Sequence, residues 1–240
     1  MKNKVVVITG ASKGLGKALA LRFAEQGARL GICARDHEEL EKVKAEAISR
    51  GAEVVAVTAD VSNPKDVDRF ISVVEDAFGK VDVLINNASI FGPGPKLLAD
   101  YPADTFEEVI RVNSSNPFFV TKRVLPGMLA AKQGSIINLT SEAGKTGFGE
   151  WGAYSVSKFA LEGLTQIWAD ELEETGVRIN MVDPGEMDTE MHDIAVPDCD
   201  YDLADPNTIL DVFLHLASDQ SNEHGQRFEA QSFVLESEEV

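Results

Sequence analysis

A tyrosine and a lysine four residues apart suggest proton chemistry. Tyr154 and Lys158 bound the segment Tyr-Ser-Val-Ser-Lys, and in a helix this spacing puts both side chains on one face. A phenol ordinarily has a pKa near ~10, but a neighbouring cation favours the phenolate and should lower that pKa. We therefore predict Tyr154 as a general acid–base and Lys158 as its activator. Since the spacing alone is common, a packed tyrosine beside a surface lysine is the alternative.

Two further polar residues could complete such a site. Ser141 ends the segment Asn-Leu-Thr-Ser, so its hydroxyl could lie at the end of a strand and hydrogen-bond a substrate carbonyl as charge develops on the oxygen. Pro117 follows Asn113 by four residues, and a proline inside a helix crowds the carbonyl at i−4. We expect a kink that frees the Asn113 carbonyl to hold a water, which would relay protons through Lys158 to Tyr154.

A glycine-rich turn, Thr-Gly-Ala-Ser-Lys-Gly-Leu-Gly, follows the first apolar run. Glycines let the backbone approach a pyrophosphate closely, and the helix that follows offers its first N–H groups to the anion. We predict a dinucleotide site built from residues of this turn: Gly10, Ser12, Lys13, Gly14, Leu15 and Gly16. The pattern Gly-x-Ser-x-Gly around Ser12 also fits a hydrolase nucleophile, but we expect no strand before Val5 to supply the second oxyanion donor, and we reject that interpretation.

The end of the second apolar run indicates which dinucleotide binds. Sites that prefer NAD usually place an acid there, against the ribose hydroxyls, whereas this sequence reads Ala34-Arg35-Asp36. Arg35 and Lys13 could hold a 2′-phosphate through charge-assisted hydrogen bonds. We predict NADP(H), with NAD(H) less favoured. The alternative is that Lys13 and Arg35 are merely solvated. Asp36, which lies beyond the usual position of the acid, could still contact the ribose.

Two more strand ends could line the cofactor. Asp60 and Val61 follow the third apolar run, and Asn87 and Ala88 close the fourth. The Asp60 carboxylate could seat the adenine, and Asn87 with Ala88 could form the opposite wall. Taken singly, each of these positions is more often a turn residue or a helix cap.

Short apolar runs alternate with longer helical patterns, and together they would position these residues. We predict seven strands: 5–8, 29–34, 53–58, 81–86, 135–140, 177–182 and 227–234. We predict helices at 15–26, 37–50, 65–78, 104–131, 153–174 and 207–217. Most strands are apolar throughout, which is typical of a parallel sheet covered on both faces. The pattern predicts an α/β fold with a doubly wound sheet, whose ligands bind beyond the carboxyl ends of the strands.

Composition limits the classes of protein. The chain has 240 residues and a formal charge of −18, with 44% hydrophobic residues, which suits one domain over residues 1–240. The acidic balance disfavours nucleic acid and anionic membranes as partners, and no apolar run approaches the ~20 residues that cross a bilayer. Two cysteines, Cys33 and Cys199, favour a reducing compartment. We expect a cytoplasmic protein without a metal.

These motifs together resemble the short-chain dehydrogenase/reductase family. They run in one order along the chain and continue to Pro184-Gly185 and Thr189. The resemblance implies a Rossmann-type sheet and an oxidoreductase that moves a hydride between a nicotinamide and a carbonyl or secondary alcohol. It also implies that Lys158 binds ribose, that Ser141 orients the substrate, and that Asn113 supports the relay. Pro184, Gly185 and Thr189 would then flank the nicotinamide.

The sequence departs from the family pattern in two places, and two alternative functions stay open. Ser89 stands where a glycine is usual, and Thr140 replaces a frequent serine. The first alternative is an oxoacyl-carrier-protein reductase, whose acidic carrier would need a local basic patch of Lys122, Arg123 and Lys132. The second is a non-catalytic NADP(H) sensor, although such proteins typically lose the tyrosine or the lysine.

Substrate contacts are expected from three loops, 90–95, 142–151 and the segment after Gly185. Their apolar side chains are the predicted substrate residues: Phe91, Phe148, Trp151 and Met187, with Ser141 beside them. The third loop, 186–205, is predicted to be a lid. It is strongly acidic and should repel anionic substrates, although a merely solvated lid is the alternative.

The helix that carries Tyr154 and Lys158 is more apolar than one buried stripe requires. Between Val156 and Trp168 its apolar side chains cover roughly 200° of the helix surface. We expect a second copy of the chain to bury the excess, as in the family's dimers and tetramers. The prediction is a homodimer or homotetramer.

Overall fold

Seven parallel strands form one sheet in the computed structural model, which describes residues 1–234. The strands, β1 to β7 in chain order, are Val5–Thr9, Arg29–Ala34, Val54–Thr58, Val83–Asn86, Gly134–Leu139, Val177–Asp183 and Arg227–Glu229. Their order across the sheet is β3-β2-β1-β4-β5-β6-β7, and each neighbouring pair is parallel. The predicted doubly wound α/β sheet is confirmed.

Helices connect the strands and cover both faces of the sheet. Within the described residues the α-helices, α1 to α8, are Gly14–Glu25, His37–Ser49, Pro64–Phe78, Ala103–Ile110, Asn116–Ala131, Gly152–Glu171, Glu190–Ala195 and Asp211–Ala217. A π-helical segment, Arg111–Ser115, joins α4 to α5. None of the helices in residues 1–234 is both long and apolar enough to cross a membrane.

Strand β1 shows why the strands lack polar alternation. Val6 and Ile8 belong to a buried cluster with α1, α2 and α8. Val5 and Val7 belong to a second cluster with α3, α5 and α6. Because successive residues of a strand face opposite sides of the sheet, a sheet covered twice buries them all.

The direction in which the chain adds strands to the sheet reverses between β1 and β4, and this reversal determines where a ligand can bind. The chain builds β1, β2 and β3 outward in one direction and then places β4 on the other side of β1. In open α/β sheets such a switch leaves a crevice at the carboxyl ends of the strands. The segments that follow β1 to β6 carry most of the predicted site residues, and α6 carries Tyr154 and Lys158.

Four elements differ from the prediction. The last strand, predicted over 227–234, ends at Glu229, because Ala230–Ser232 turns and the Gln231 amide donates to the carbonyls of Pro184 and Glu186. The helix predicted over 104–131 is divided by the π-helical segment. The helix predicted over 207–217 begins at Asp211, after a 3₁₀ turn, and α7 was not predicted. Residues 235–240 of the predicted domain lie outside the described residues.

Candidate active site

A cleft of about 1130 Å³ opens at the carboxyl ends of the strands. Its walls include every residue predicted to bind cofactor or substrate, together with Ser141, Tyr154 and Lys158. Asn113 is the exception among the predicted catalytic residues, since it is 1% exposed and does not line the cleft. Folding therefore brings into one cavity residues that are spread along the sequence from Gly10 to Thr189.

The glycine turn between β1 and α1 is packed against the end of β4. Gly10 has a φ of 68°, and a Cβ there would lie 2.8 Å from the Cα of Ala88. A Cβ on Gly16 would overlap the Gly10 carbonyl oxygen. Asn87 Nδ2 donates to the carbonyls of Thr9 and Gly10 at 2.9 and 3.0 Å. The backbone thus requires glycine at both positions, and the start of α1 faces a cleft that a pyrophosphate fits.

Three charged residues follow β2 and β3: two carboxylates accept local hydrogen bonds, and one arginine is exposed. Asp36 Oδ1 accepts the Glu39 N–H at 3.1 Å and so caps α2. Asp60 Oδ1 accepts the N–H and the hydroxyl of Ser62 at 2.9 and 2.7 Å. Arg35 lines the cleft with an exposed side chain. Arg35 is the cation among these three groups and could bind an anion in the cleft. The neighbouring Asp36 caps α2 with one of its carboxylate oxygens.

Tyr154, Lys158 and Ser141 meet where α6 begins and β5 ends. Lys158 Nζ donates to the Leu139 carbonyl at 2.7 Å and lies 5.3 Å from the centre of the Tyr154 ring. Ser141 Oγ accepts the Ala143 N–H at 3.2 Å, and its hydroxyl lies close enough to Tyr154 to lower the pKa of the phenol. Tyr154 is 8% exposed and Lys158 is 3% exposed. One turn of α6 therefore presents a phenol and an ammonium in a nearly water-free position.

Burial dominates the ionisation of both groups. It raises the pKa of Tyr154 to about 12; the hydrogen bond with Ser141 lowers this pKa and the Asp183 carboxylate raises it. The structure thus differs from the expected lowering by Lys158, because desolvation of the phenolate dominates this pKa and the ammonium of Lys158 is not among the groups that shift it. Burial also lowers the pKa of Lys158 to about 8, against the opposing effect of the Asp183 and Glu162 carboxylates.

The π-helical segment places Asn113 behind the site. Asn113 Oδ1 accepts the Ile90 N–H and Nδ2 donates to the Ile90 carbonyl, both at 2.8 Å. Nδ2 also donates to Ser157 Oγ at 3.0 Å, and that hydroxyl donates to the Tyr154 carbonyl at 2.6 Å. The side chain of Asn113 thus joins the segment after β4 to the helix that carries Tyr154. The proton relay through its carbonyl stays a prediction.

Aromatic side chains pack beside Tyr154. The Phe91 ring centre lies 5.1 Å from that of Trp151 and 5.2 Å from that of Tyr154. Phe148 lies 5.7 Å from Trp151 and is 43% exposed. Met187 lines the same cleft from the segment after Gly185. The predicted substrate residues therefore give the cleft an apolar surface next to the phenol.

The predicted lid contains the short helix α7. Thr189 caps it, and Glu190 forms an ion pair with Lys13 of the glycine turn. The Tyr201 hydroxyl donates to Glu186 Oε1 at 2.9 Å. His192 lies 7% exposed within the lid. Two acids of the lid thus contact neighbouring groups, which the sequence did not predict because acidic residues in loops are usually solvated.

Sequence reasoning also missed three charged residues beside the site, Glu162, Asp183 and Arg227, whose side chains are 11%, 8% and 12% exposed. Thr140, one of the two departures from the family pattern, donates to Glu162 Oε1 at 2.7 Å. Ser89 lines the cleft, and its buried hydroxyl has no hydrogen-bond partner within residues 1–234. Asp183 precedes the predicted site residue Pro184 and could have been noticed for that reason. Arg227 in the last strand lies next to no motif that would have pointed to it.

Comparisons with known proteins agree with this geometry. The family described as short chain dehydrogenase matches residues 4–199. A 3-oxoacyl-[acyl-carrier-protein] reductase from Synechocystis is 39% identical over 189 residues, which is 78% of this chain and 76% of that protein. The crystal structure of levodione reductase has a TM-score of 0.90 at 28% identity, covering 97% of this chain and 100% of that one. NAD⁺-bound xylitol dehydrogenase has a TM-score of 0.86 at 30% identity, covering 95% and 97%.

The chain therefore belongs to the short-chain dehydrogenase family of oxidoreductases. Its members use nicotinamide cofactors and act on small-molecule substrates. One of these solved structures, the xylitol dehydrogenase, holds NAD⁺.

Proposed function

We propose that the protein is an NADP(H)-dependent oxidoreductase that interconverts a carbonyl and a secondary alcohol, with Tyr154 as the acid–base. The observation that carries this proposal is the buried group of Tyr154, Lys158 and Ser141 in the same cleft as the glycine turn. The nicotinamide, when bound, supplies or accepts the hydride. Residues Gly10 to Gly16 would hold its pyrophosphate, and Pro184, Gly185 and Thr189 would lie beside its ring.

The side chains around Tyr154 have separate roles in this reaction. Ser141 would hold the substrate oxygen, and Tyr154 would donate a proton to that oxygen during reduction or take one during oxidation. Lys158 keeps a positive charge beside the phenol below its pKa of about 8. The aromatic side chains exclude water from the reacting atoms, which strengthens these electrostatic interactions.

The surroundings of Arg35 support the preference for NADP(H). Arg35 directly follows β2 and lines the cleft, whereas Asp36 is used to cap α2. Arg35→Ser should raise the Kd for NADPH roughly tenfold or more, because a charge-assisted hydrogen bond contributes about 1.5–3 kcal/mol, and should leave the Kd for NADH unchanged. Fluorescence titration with both cofactors decides the matter. Equal loss for the two cofactors, or tighter binding of NADH by the unaltered protein, would contradict the assignment.

Tyr154→Phe separates an enzyme from a nucleotide sensor. The variant should bind NADPH as the unaltered protein does and lose turnover by roughly a hundredfold or more, since general acid–base catalysis contributes about 10²–10⁴. The assay follows NADPH oxidation over ketones, aldehydes, quinones and acyl thioesters. NADPH binding without turnover on any of these classes would favour the sensor.

A specific observation supports one candidate substrate class. The Synechocystis relative is a 3-oxoacyl-[acyl-carrier-protein] reductase, so an acyl thioester is a candidate substrate. The basic patch that an acidic carrier would need is weaker than expected, because Arg123 already contacts Asp68 and Glu75 at 2.8 Å each. Lys122 lies over the Phe118 ring at 5.6 Å. These contacts favour a free small molecule over a carrier-bound acyl group.

We also propose that two or four copies of the chain assemble. Four apolar side chains on α5 and α6 are exposed by 36% to 58%: Phe118, Val156, Phe159 and Ile167. Phe118 stacks on Trp168 with ring centres 5.8 Å apart, which joins the two helices into one surface. A second copy would remove this apolar surface from water. The free thiols of Cys33 and Cys199 support a reducing, cytoplasmic location.

A further inference from the structure

Arg227 connects three segments that meet behind the candidate active site. Its guanidinium donates through Nη2 to the Ser141 carbonyl at 3.2 Å and to Asp183 Oδ2 at 2.8 Å. Nε donates to Glu162 Oε1 at 3.1 Å. Ser141 lies just after β5, Asp183 ends β6, and Glu162 lies on α6 one turn beyond Lys158. One side chain from β7 therefore holds the strand end and the helix that carry the candidate catalytic groups.

The partners of Arg227 shape the site through further hydrogen bonds. Asp183 Oδ1 accepts the Gly185 N–H at 2.9 Å, which fixes the turn predicted to flank the nicotinamide. Glu162 Oε1 accepts the Thr140 hydroxyl at 2.7 Å, next to Ser141. Both carboxylates thus orient a site segment, and both need a buried cation to balance their charge.

Charge balance links this group of residues to Lys158. Lys158 and Arg227 carry two positive charges, and Asp183 and Glu162 carry two negative ones, so the buried group is neutral when Lys158 is protonated. The other charged groups that contact Arg227 lie at the rim. Glu229 on β7 is 3.2 Å away and Glu142 after β5 is 3.7 Å away, and both also contact Lys145.

We propose that Arg227 is a positioning residue of the active site, which holds Ser141 in place and partly neutralises Asp183 and Glu162, so that it limits how strongly these carboxylates hold the proton on Lys158. The role assigned to the site rests on the proposed function. The contacts of Arg227 and its effect on Lys158 are independent of the proposed function, and both can be measured in the protein without any cofactor.

The decisive measurement is the pKa of Lys158, read from NMR of lysine Cε and assigned by its loss in Lys158→Arg. The unaltered protein should give a pKa of about 8. Arg227→Gln leaves two carboxylates with one cation and should raise the pKa by about one unit or more. Arg227→Gln combined with Asp183→Asn restores neutrality and should return the pKa toward the original value. Lys145→Gln removes an exposed cation from the rim and should leave it unchanged.

Activity supplies the second measurement. Arg227→Gln should lower kcat/KM by roughly tenfold or more on any carbonyl that the unaltered protein reduces, since misplaced catalytic groups cost about that much. If the unaltered protein reduces none, the proposed function fails, and the Lys158 titration still decides the role of Arg227. A purely structural role would lower stability in the single and double variants without moving the pKa.

Two outcomes would overturn the proposal. One is an unchanged Lys158 pKa in folded Arg227→Gln, and the other is a shift that persists in the charge-balanced double variant. If Arg227→Gln does not fold, Asp183→Asn alone decides. Removing this carboxylate should lower the pKa of Lys158 below about 8, because Asp183 raises it in the unaltered protein. An unchanged pKa there would contradict the coupling.

Discussion

The ammonium of Lys158 is buried at a cost that can be measured. Lys158 is 3% exposed, and burial lowers its pKa from 10.5 to about 8, although Asp183 and Glu162 oppose the change. Since one pKa unit corresponds to about 1.4 kcal/mol, the charged form destabilises the native state by about 3 kcal/mol at neutral pH. Lys158→Met keeps the aliphatic stem and removes the charge. It also removes the hydrogen bond to Leu139, which contributes about 1 kcal/mol.

We therefore expect Lys158→Met to raise the free energy of unfolding by about 2 kcal/mol at pH 7 while abolishing turnover. The gain should disappear as the pH rises. Between pH 8 and 10.5 the native protein releases the Lys158 proton and the unfolded chain keeps it, so the unfolded state binds more protons and the stability of the unaltered protein increases. The variant has no such increase, and its advantage should be largely lost near pH 10.

Urea unfolding of both proteins, at neutral pH and again near the upper end of this window, tests the reasoning. Lys17→Met is the control, because Lys17 is 44% exposed and contacts Glu46 at 3.3 Å. Exposed pairs contribute about 0–1 kcal/mol, so this variant should differ little from the unaltered protein at pH 7. The reasoning is refuted if Lys158→Met is the less stable protein at pH 7, or if its advantage is the same at both pH values.

Three other perturbations test the cofactor turn, the assembly and the relay. Gly16→Ala should weaken NADPH binding by roughly tenfold or more in a fluorescence titration, because the added Cβ would overlap the Gly10 carbonyl. Gly163→Ala is the control and should bind NADPH normally, because the space around Gly163 is open. Ile167→Glu should give monomers in light scattering, since Ile167 is 58% exposed on α6, and Ile48→Glu on α2 should not. Pro117→Ala should slow turnover if the Asn113 relay operates, and unchanged kcat with a regular helix would exclude the relay.

The sheet and the cofactor turn could be predicted because their signals are local. A run such as residues 5–8 is apolar on both faces, as expected of a strand that helices cover on both sides. The glycines of the turn mark places where a Cβ cannot fit, and the structure shows the neighbouring atoms responsible. The lid helix α7 has six residues and a single capping threonine, which is too short a pattern to stand out from a loop.

The electrostatics of the site could not be predicted, because they depend on burial and on residues distant in the chain. The spacing of Tyr154 and Lys158 correctly indicates that the two are neighbours, yet the sign of the Tyr154 shift follows from how much water folding removes. Arg227 lies 65 positions from Glu162 and 44 from Asp183. Only the pairing of β7 with β6 brings it to the site.

The phenolate of Tyr154 takes part in both directions of the proposed reaction. With a Tyr154 pKa of about 12 and a Lys158 pKa of about 8, the protein at neutral pH holds a phenol beside an ammonium. Carbonyl reduction consumes a proton, and Tyr154 in this state already carries one to donate. Donating that proton leaves the same buried phenolate that alcohol oxidation needs as its base, so both directions meet the cost of burial. Burial of Tyr154 therefore favours neither direction, and oxidation should gain as the pH rises because a larger fraction of Tyr154 is then ionised.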